Sequence, residues 1–344
     1  MVRDLVTGGA GFIGSHLVEA LLQQGDEVIV LDDLSTGCRQ NLRQVLDHPR
    51  LTVLVDSVLN RPVTERLIDR VDRVFHLAAA VGVQYVVENP LRSLRTNIHG
   101  AEIVLEAASR DSKPVILFST SEVYGKSDRV PFREASDRVM GPTAVSRWGY
   151  ACSKAIDEFL AMAYHQERDL PVVIVRCFNT CGPRQRGRYG MVVPRFIRAA
   201  LLDKPIQVYG NGEQSRCFSY VGDVVRGVML LAACDDAHGE VFNIGTDEEV
   251  SINELARRVK ELTSSSSPIV HIPYEEIYGK SFEDMNRRVP DLNKIRDLVG
   301  YEPSASLDAL LGLTIDHVRR EVAGDVGLFD EPQPTPVEAV RGTS

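Results

Sequence analysis

No apolar run among the 344 residues reaches the roughly 18 needed to cross a bilayer. The opening Met1-Val2-Arg3-Asp4 has neither the apolar stretch nor the small-residue cleavage site of a signal peptide, so a cytoplasmic location is expected. Cysteine is sparse and unpatterned. Cys38, Cys152, Cys177, Cys181, Cys217 and Cys234 show no metal-ligand spacing, and the nearest pair, Cys177 and Cys181, lacks the CxxC of a redox couple. Free, mostly buried thiols and no metal site follow. Positive charge is short as well: 39 Lys and Arg against 48 Asp and Glu leave a net charge of -9. Such a field repels phosphate backbones and excludes nucleic acid as the main partner, while leaving room for a small anion in a local basic pocket. Low-complexity sequence is absent except beyond Leu328, where FDEPQPTPVEAVRGTS has no apolar period and reads as a mobile tail over 328–344. What remains is an ordinary globular composition, 44% hydrophobic and 25% charged, long enough for two closely joined domains.

The first half reads as a nucleotide-binding sheet. Val2 to Thr7 is an apolar segment running into Gly8-Gly9-Ala10-Gly11-Phe12-Ile13-Gly14; an amphipathic stretch follows to Gln24, then Gly25 and a second apolar run, Val28 to Leu31. Glycines that open a helix directly after a first strand let backbone N–H groups and the helix dipole meet a pyrophosphate. Gly8, Gly11, Phe12 and Ile13 are assigned to that contact, with Gly14 the third spaced glycine. The second strand ends at Asp32-Asp33, about 20 residues beyond the turn, where a carboxylate receives the adenosine ribose hydroxyls. Asp32 is preferred for this role and Asp33 adjoins it. A carboxylate there repels the extra phosphate of NADP, so NAD is the expected cofactor. Further apolar runs at Leu51–Val55, Val74–Leu77, Val115–Phe118 and Val172–Val175 alternate with helical stretches, which predicts a Rossmann-like, doubly wound parallel sheet. Asp56 and Ser57 after the third run, and Leu77, Ala78 and Ala79 after the fourth, then border the dinucleotide.

Chemistry is expected where Ser119-Thr120-Ser121-Glu122-Val123-Tyr124-Gly125 leaves the strand Val115–Phe118, and downstream at Tyr150-Ala151-Cys152-Ser153-Lys154. A Tyr and a Lys one helical turn apart share a face, so the ammonium can lower the phenol pKa and hold the nicotinamide ribose. The phenolate can take a hydroxyl proton while hydride leaves the same carbon. Ser121 or Thr120 can hydrogen-bond the oxygen as it becomes a carbonyl.

These residues resemble the extended short-chain dehydrogenase/reductase family, the sugar-nucleotide epimerases and dehydratases, over nearly the whole chain. The likeness lies in TGGAGFIG at Thr7–Gly14, STSEVYG at Ser119–Gly125, YACSK at Tyr150–Lys154, RCFNTCGPR at Arg176–Arg184, GNGEQSRCFSYVGDV at Gly210–Val224 and NIGT at Asn243–Thr246. The resemblance implies that Tyr150 is the base, Lys154 its partner and Ser121 or Thr120 the hydroxyl donor. It implies that Asn179, Val193 and Tyr209 contact the substrate and that Arg216 binds the diphosphate of a UDP-sugar, a role a guanidinium suits on its own chemistry. It also implies an NAD domain over 1–178 with 214–240 returning to it, a smaller α/β substrate-binding lobe over 179–213 and 241–327, and a homodimer.

A sugar carrying a 4-keto group has three exits. Returning hydride to the other face gives a 4-epimer, losing a C5 carboxylate gives a pentose, and losing the 6-hydroxyl gives a deoxy sugar. The last resembles enzymes with an Asp-Glu pair after the Thr; here the pair is Ser121-Glu122, so dehydration ranks third. UDP-glucuronate decarboxylases look like TSEVYG at this point and carry an Arg in a segment similar to Arg287-Arg288-Val289-Pro290. Arg288 suits the carboxylate of a uronic acid. The loop Arg184–Gly190 and Phe282–Met285 look more like a group classed with the 4-epimerases. Epimerisation is therefore placed first, UDP-glucuronate to UDP-galacturonate ahead of UDP-glucose to UDP-galactose, with decarboxylation as the alternative.

Overall fold

The computed structural model describes residues 1–187, 191–278 and 285–324. In chain order the first elements are β1 (Arg3–Thr7), α1 (Phe12–Gln24), β2 (Glu27–Asp32), β3 (Leu51–Val55), α2 (Arg61–Ile68), β4 (Arg73–His76), α3 (Val83–Glu88), α4 (Pro90–Ser109), β5 (Val115–Thr120), α5 (Arg147–Arg168) and β6 (Val172–Cys177). Then come β7 (Thr180–Cys181), α6 (Val192–Leu201), β8 (Ile206–Tyr209), β9 (Ser215–Cys217), β10 (Ser219–Tyr220), α7 (Val221–Ala232) and β11 (Glu240–Ile244). The last are β12 (Glu249–Ser251), α8 (Ile252–Thr263), β13 (Ile269–Ile272), α9 (Tyr274–Tyr278), β14 (Arg287–Arg288), α10 (Asn293–Val299) and α11 (Leu307–Val322).

Seven strands form one sheet in the order β11-β6-β5-β4-β1-β2-β3, and every pairing in it is parallel. Strands buried on both faces read as continuous apolar runs, as in Leu5-Val6, Val28-Ile29-Val30-Leu31 and Val172-Val173-Ile174-Val175. One face packs α1 and α7 through Leu17, Leu21, Val224 and Val228; the other packs helices through Val104, Ala108 and Ala161. The order reverses between β1 and β4, which opens a crevice at the carboxyl ends of the strands.

A second core gathers Phe196, Ile197, Ile206, Val208, Leu255, Leu310 and Leu311 from α6, β8, α8 and α11. It belongs to the region expected as the smaller lobe. The expected boundary at 240 falls inside a strand, however. β11 pairs with β6 from Glu240↔Val173 to Ile244↔Cys177, and Leu292, Ile295 and Tyr301 join the first core. The run Val241–Ile244 is too short to declare itself a sheet edge in sequence, and α10 covers it from a segment some fifty positions on. The expected tail at 328–344 lies outside the described residues, as do Arg188, Tyr189, Gly190 and Phe282 to Asp284. Among the described residues no helix is long and apolar enough to cross a membrane, and no His/Cys/Asp/Glu group could hold a metal ion.

Candidate active site

The cofactor end of the crevice is made mainly of backbone. Gly8 has φ +74°, and a Cβ on it would stand 2.8 Å from the Ala78 nitrogen; a Cβ on Gly14 would stand 2.2 Å from the Gly8 carbonyl oxygen. The turn therefore leaves no room for a Cβ at either position, and only glycine fits there. It delivers α1 with Gly11 at its N-cap, without a side-chain cap and without an acid in the first turn, and Gly11, Phe12 and Ile13 line the crevice. Such an end has N–H groups to offer an anion. Asp32 is buried: its two carboxylate oxygens accept the N–H groups of Ala10 (2.9 Å) and Leu34 (2.8 Å), and burial holds its carboxyl above the usual range. A carboxylate has about four acceptor positions, so Asp32 braces the turn and keeps capacity for a ribose hydroxyl. Asp33 is exposed and accepts Ser35 N–H. Asp56 accepts the Ser57 N–H, and Asp56, Ser57, Leu77, Ala78 and Ala79 all line the crevice. These residues fit a dinucleotide.

The loop after β4 is tied to α5 through a relay. Ala80 N–H donates to Asn97, Asn97 donates to Ser153 Oγ (3.0 Å), and Ser153 Oγ donates to the Tyr150 carbonyl (2.8 Å). This fixes the helix that carries Tyr150 and Lys154 against the crevice both line. The Tyr150 hydroxyl is hydrogen-bonded to the Thr120 side chain; burial first, then the charges of Glu122 and neighbouring groups, push the phenol above its ordinary value. Lys154 is buried and its Nζ donates to Asp157 Oδ2 at 2.7 Å. Behind them Glu158 accepts from Arg176 (2.7 and 2.9 Å) and from Ser119, and the Arg176 guanidinium also donates to the Tyr124 hydroxyl.

At the other end the site is made of charged side chains drawn from distant segments. Thr120 Oγ1 caps the short turn Ser121–Tyr124 by accepting Glu122 N–H, which presents Ser121 and Glu122 to the crevice. Arg288 Nη2 donates to Glu122 Oε1 at 3.1 Å, and its Nη1 lies 3.5 Å from Ser121 Oγ. Arg147 Nη2 lies 3.6 Å from the same Oε1 and is almost wholly buried. β14 pairs with β9 in the register Arg288↔Arg216, so two arginines on adjacent parallel strands both line the crevice. Arg216 Nη1 donates to the Ser215 carbonyl. Beyond them Tyr209 lies under the Arg195 guanidinium at 3.7 Å, and the Gln214 amide donates to the Tyr274 hydroxyl at 2.8 Å.

The structure thus brings Tyr150, Lys154, Thr120, Ser121, Glu122, Arg288, Arg216 and Tyr209 to one cavity. Asn179 lines it as well, at φ +33°, with its side-chain amide donated to the Cys217 carbonyl. Val193 does not reach it. The helical period of α6 turns Val193 inward with Phe196, Ile197 and Ala200, and Met191 and Val192 line the cavity instead. Sequence reasoning missed Arg147, whose signal was its place one helical turn before Tyr150. It also missed Arg184, which donates to Glu19 (2.6 Å) and Ser15 and so ties the segment after β7 to α1.

A family model described as GDP-mannose 4,6 dehydratase matches residues 5–314. The UDP-N-acetyl-alpha-D-glucosaminuronate decarboxylase of Bacillus cytotoxicus is 42% identical over 94% of this chain and 99% of its own length. Among solved structures, DesIV of Streptomyces venezuelae, a dTDP-glucose 4,6-dehydratase with NAD bound, superposes with a TM-score of 0.85 at 32% identity, over 93% of this chain and 98% of that one. The UDP-glucuronic acid 4-epimerase of Bacillus cereus, in complex with UDP-glucuronic acid and NAD, superposes with a TM-score of 0.82 at 29% identity, over 92% of this chain and 99% of that one.

Proposed function

The chain belongs to the GDP-mannose 4,6-dehydratase family of extended short-chain dehydrogenase/reductases, and from that premise we propose that it is an NAD-dependent enzyme that oxidises C4 of a UDP-linked hexuronate and releases C6 as carbon dioxide. The observation that carries this reading is the Arg288 guanidinium held between Ser121 and Glu122, with Arg147 on the same carboxylate oxygen. If Ser121 or Thr120 holds the C4 oxygen, C5 is one bond away and its carboxylate comes within reach of Arg288. A guanidinium is the natural bidentate partner of that group. Support also comes from the Bacillus cytotoxicus relative, named as a decarboxylase of a UDP-linked uronate.

NAD, when bound against the glycine turn and Asp32, supplies the hydride acceptor for C4 and later the donor. Tyr150 takes the C4 hydroxyl proton, with Lys154 beside it, while Thr120 and Ser121 hold the oxygen as it becomes a carbonyl. The sugar is then a β-keto acid. Its C5–C6 bond breaks when it stands perpendicular to the carbonyl plane: carbon dioxide leaves, the electron pair passes toward the C4 oxygen, and C5 takes up a proton. Arg288 and Arg147 set that torsion through the carboxylate, and Glu122 keeps the two guanidinium groups at the sugar end. Return of hydride to C4 and of the Tyr150 proton to its oxygen gives a pentose with no net oxidant consumed. Arg216 takes the diphosphate, with Tyr209 at the nucleotide end and Asn179 between.

A second reading, 4-epimerisation, is the one the sequence placed first. The likeness to a UDP-glucuronic acid 4-epimerase favours it, because a carboxylate clamped near the carbonyl plane survives ketone rotation. We further read α4 and α5, which expose Leu91, Ile156 and Phe159, as the face of a homodimer, to be checked by sedimentation. The substrate class is tested by stopped-flow absorbance of NADH. Mixing with UDP-glucuronate or UDP-N-acetylglucosaminuronate should give a transient that UDP-glucose does not, and equal transients for all three would remove the uronate reading.

A further inference from the structure

Asp157, the buried partner of Lys154, has no part in the mechanism above. Asp157 sits three residues after Lys154 on the inner face of α5 and is fully buried, and its Oδ2 accepts the ammonium at 2.7 Å. Its other oxygen, Oδ1, is buried and accepts no hydrogen bond among the described residues. Leaving a buried carboxylate oxygen unsatisfied is costly, and an apolar residue would fill the same place on a helix interior without that cost. An ammonium has three donors. One goes to Asp157, and Lys154 still lines the crevice beside Tyr150.

We propose that Asp157 is a positioning residue that anchors the Lys154 ammonium to the wall of the crevice, so that its remaining donors are preset for the nicotinamide ribose and a carboxylate stands behind the Tyr150–Lys154 couple. The inference depends on Tyr150 and Lys154 being the catalytic couple proposed above. Anchoring matters because a lysine stem is long and flexible, and a carboxylate behind it removes the rotamers that point elsewhere. The charge matters because Asp157 is among the groups that hold the Tyr150 phenol up, after burial, Glu122 and Cys177 and against the Thr120 hydrogen bond. Titratable groups from neighbouring elements surround the pair. From β4, His76 is held neutral, its pKa lowered to about 3 by burial and then by Lys154. From β6, the Cys177 thiol is pushed up to about 12 by burial. From the turn after β5, Glu122 is shared by Arg288 and Arg147. On α5 itself, Glu158 faces Asp157 and is bound by Arg176 and Arg138.

The test is the pH profile of single-turnover hydride transfer in Asp157→Asn and Asp157→Ala, each with NAD affinity measured by calorimetry. Asp157→Asn keeps the shape and removes the charge, so the acid limb should move down by about one pH unit. Asp157→Ala removes the anchor as well, so NAD should also bind about tenfold more weakly. A limb that stays in place or moves up in folded variants overturns the proposal. In wild-type protein the Lys154 ammonium protons, identified by their loss in Lys154→Arg, should remain visible by nitrogen-resolved NMR after NAD is added. Their disappearance on NAD binding would also overturn it, whether or not the variants fold. Tyr150→Phe separates the two levels: if it retains turnover, the couple itself is misassigned, whereas an inactive Tyr150→Phe beside an unmoved Asp157→Asn limb sinks only the anchor.

Discussion

The two ends of the crevice are built by opposite means. At the cofactor end, one unbroken stretch from Thr7 to Asp32 winds a turn so tight that Gly14 has the Gly8 carbonyl where a Cβ would be. At the sugar end, Glu122, Arg147 and Arg288 arrive from a strand exit, a helix start and a two-residue strand to share one carboxylate oxygen. A backbone-made site tolerates side-chain change and fails only when the backbone path is blocked. A charge-made site fails one charge at a time, and each failure changes what is bound or made.

The largest effect is expected where the two ends meet. Tyr150→Phe should lower turnover by roughly a thousandfold while calorimetry finds NAD and UDP binding nearly unchanged, because only proton transfer is lost. Turnover close to wild type would take Tyr150 out of the chemistry. Next is the cofactor end: Gly14→Ala forces the turn open at a strain of about 3 kcal/mol, so NAD should bind roughly a hundredfold more weakly. Near-normal affinity would break the contrast, since it would mean the turn is not what holds the dinucleotide. At the sugar end, Arg288→Ala should cost UDP-glucuronate about 2 to 3 kcal/mol, or roughly 30- to 150-fold in kcat/KM, and leave the poor use of UDP-glucose unchanged. Equal losses on both sugars would assign Arg288 to the diphosphate.

The smallest effect lies behind both ends. Arg176 and Ser119 bind Glu158 and, despite its burial, hold its carboxyl below the usual range. A group lowered on folding contributes stability that is full above its unfolded value, near 4.5, and lost as pH falls through the folded one. Denaturant unfolding of the wild type should therefore weaken on acidification, and Glu158→Gln should flatten that part of the curve while lowering stability at neutral pH. Parallel pH curves for the two proteins would contradict it.

The same contrast explains what could be read from the sequence. The glycine turn, Asp32, the strand exit at Thr120 and the Tyr150–Lys154 spacing are each written in a few consecutive residues, so local periodicity finds them. Val193 was misplaced because a family position does not say which face of α6 turns inward. β11 was given to the wrong lobe because five residues at a sheet edge carry little pattern. Arg147 and Asp157 stood one turn to either side of Tyr150 and Lys154. Helical spacing offered both, but their meaning needed the partners, Glu122 and the ammonium, that only the folded chain supplies.

The most direct test is NMR of the sugar after purified protein and NAD are incubated with UDP-glucuronate, and separately with UDP-N-acetylglucosaminuronate, each labelled with carbon-13 at C6. Label leaving one of these sugars as carbon dioxide, with a UDP-linked pentose or its 4-keto form left behind, is the predicted result. Label retained in a C4-inverted uronate, or no reaction with either sugar, would contradict it.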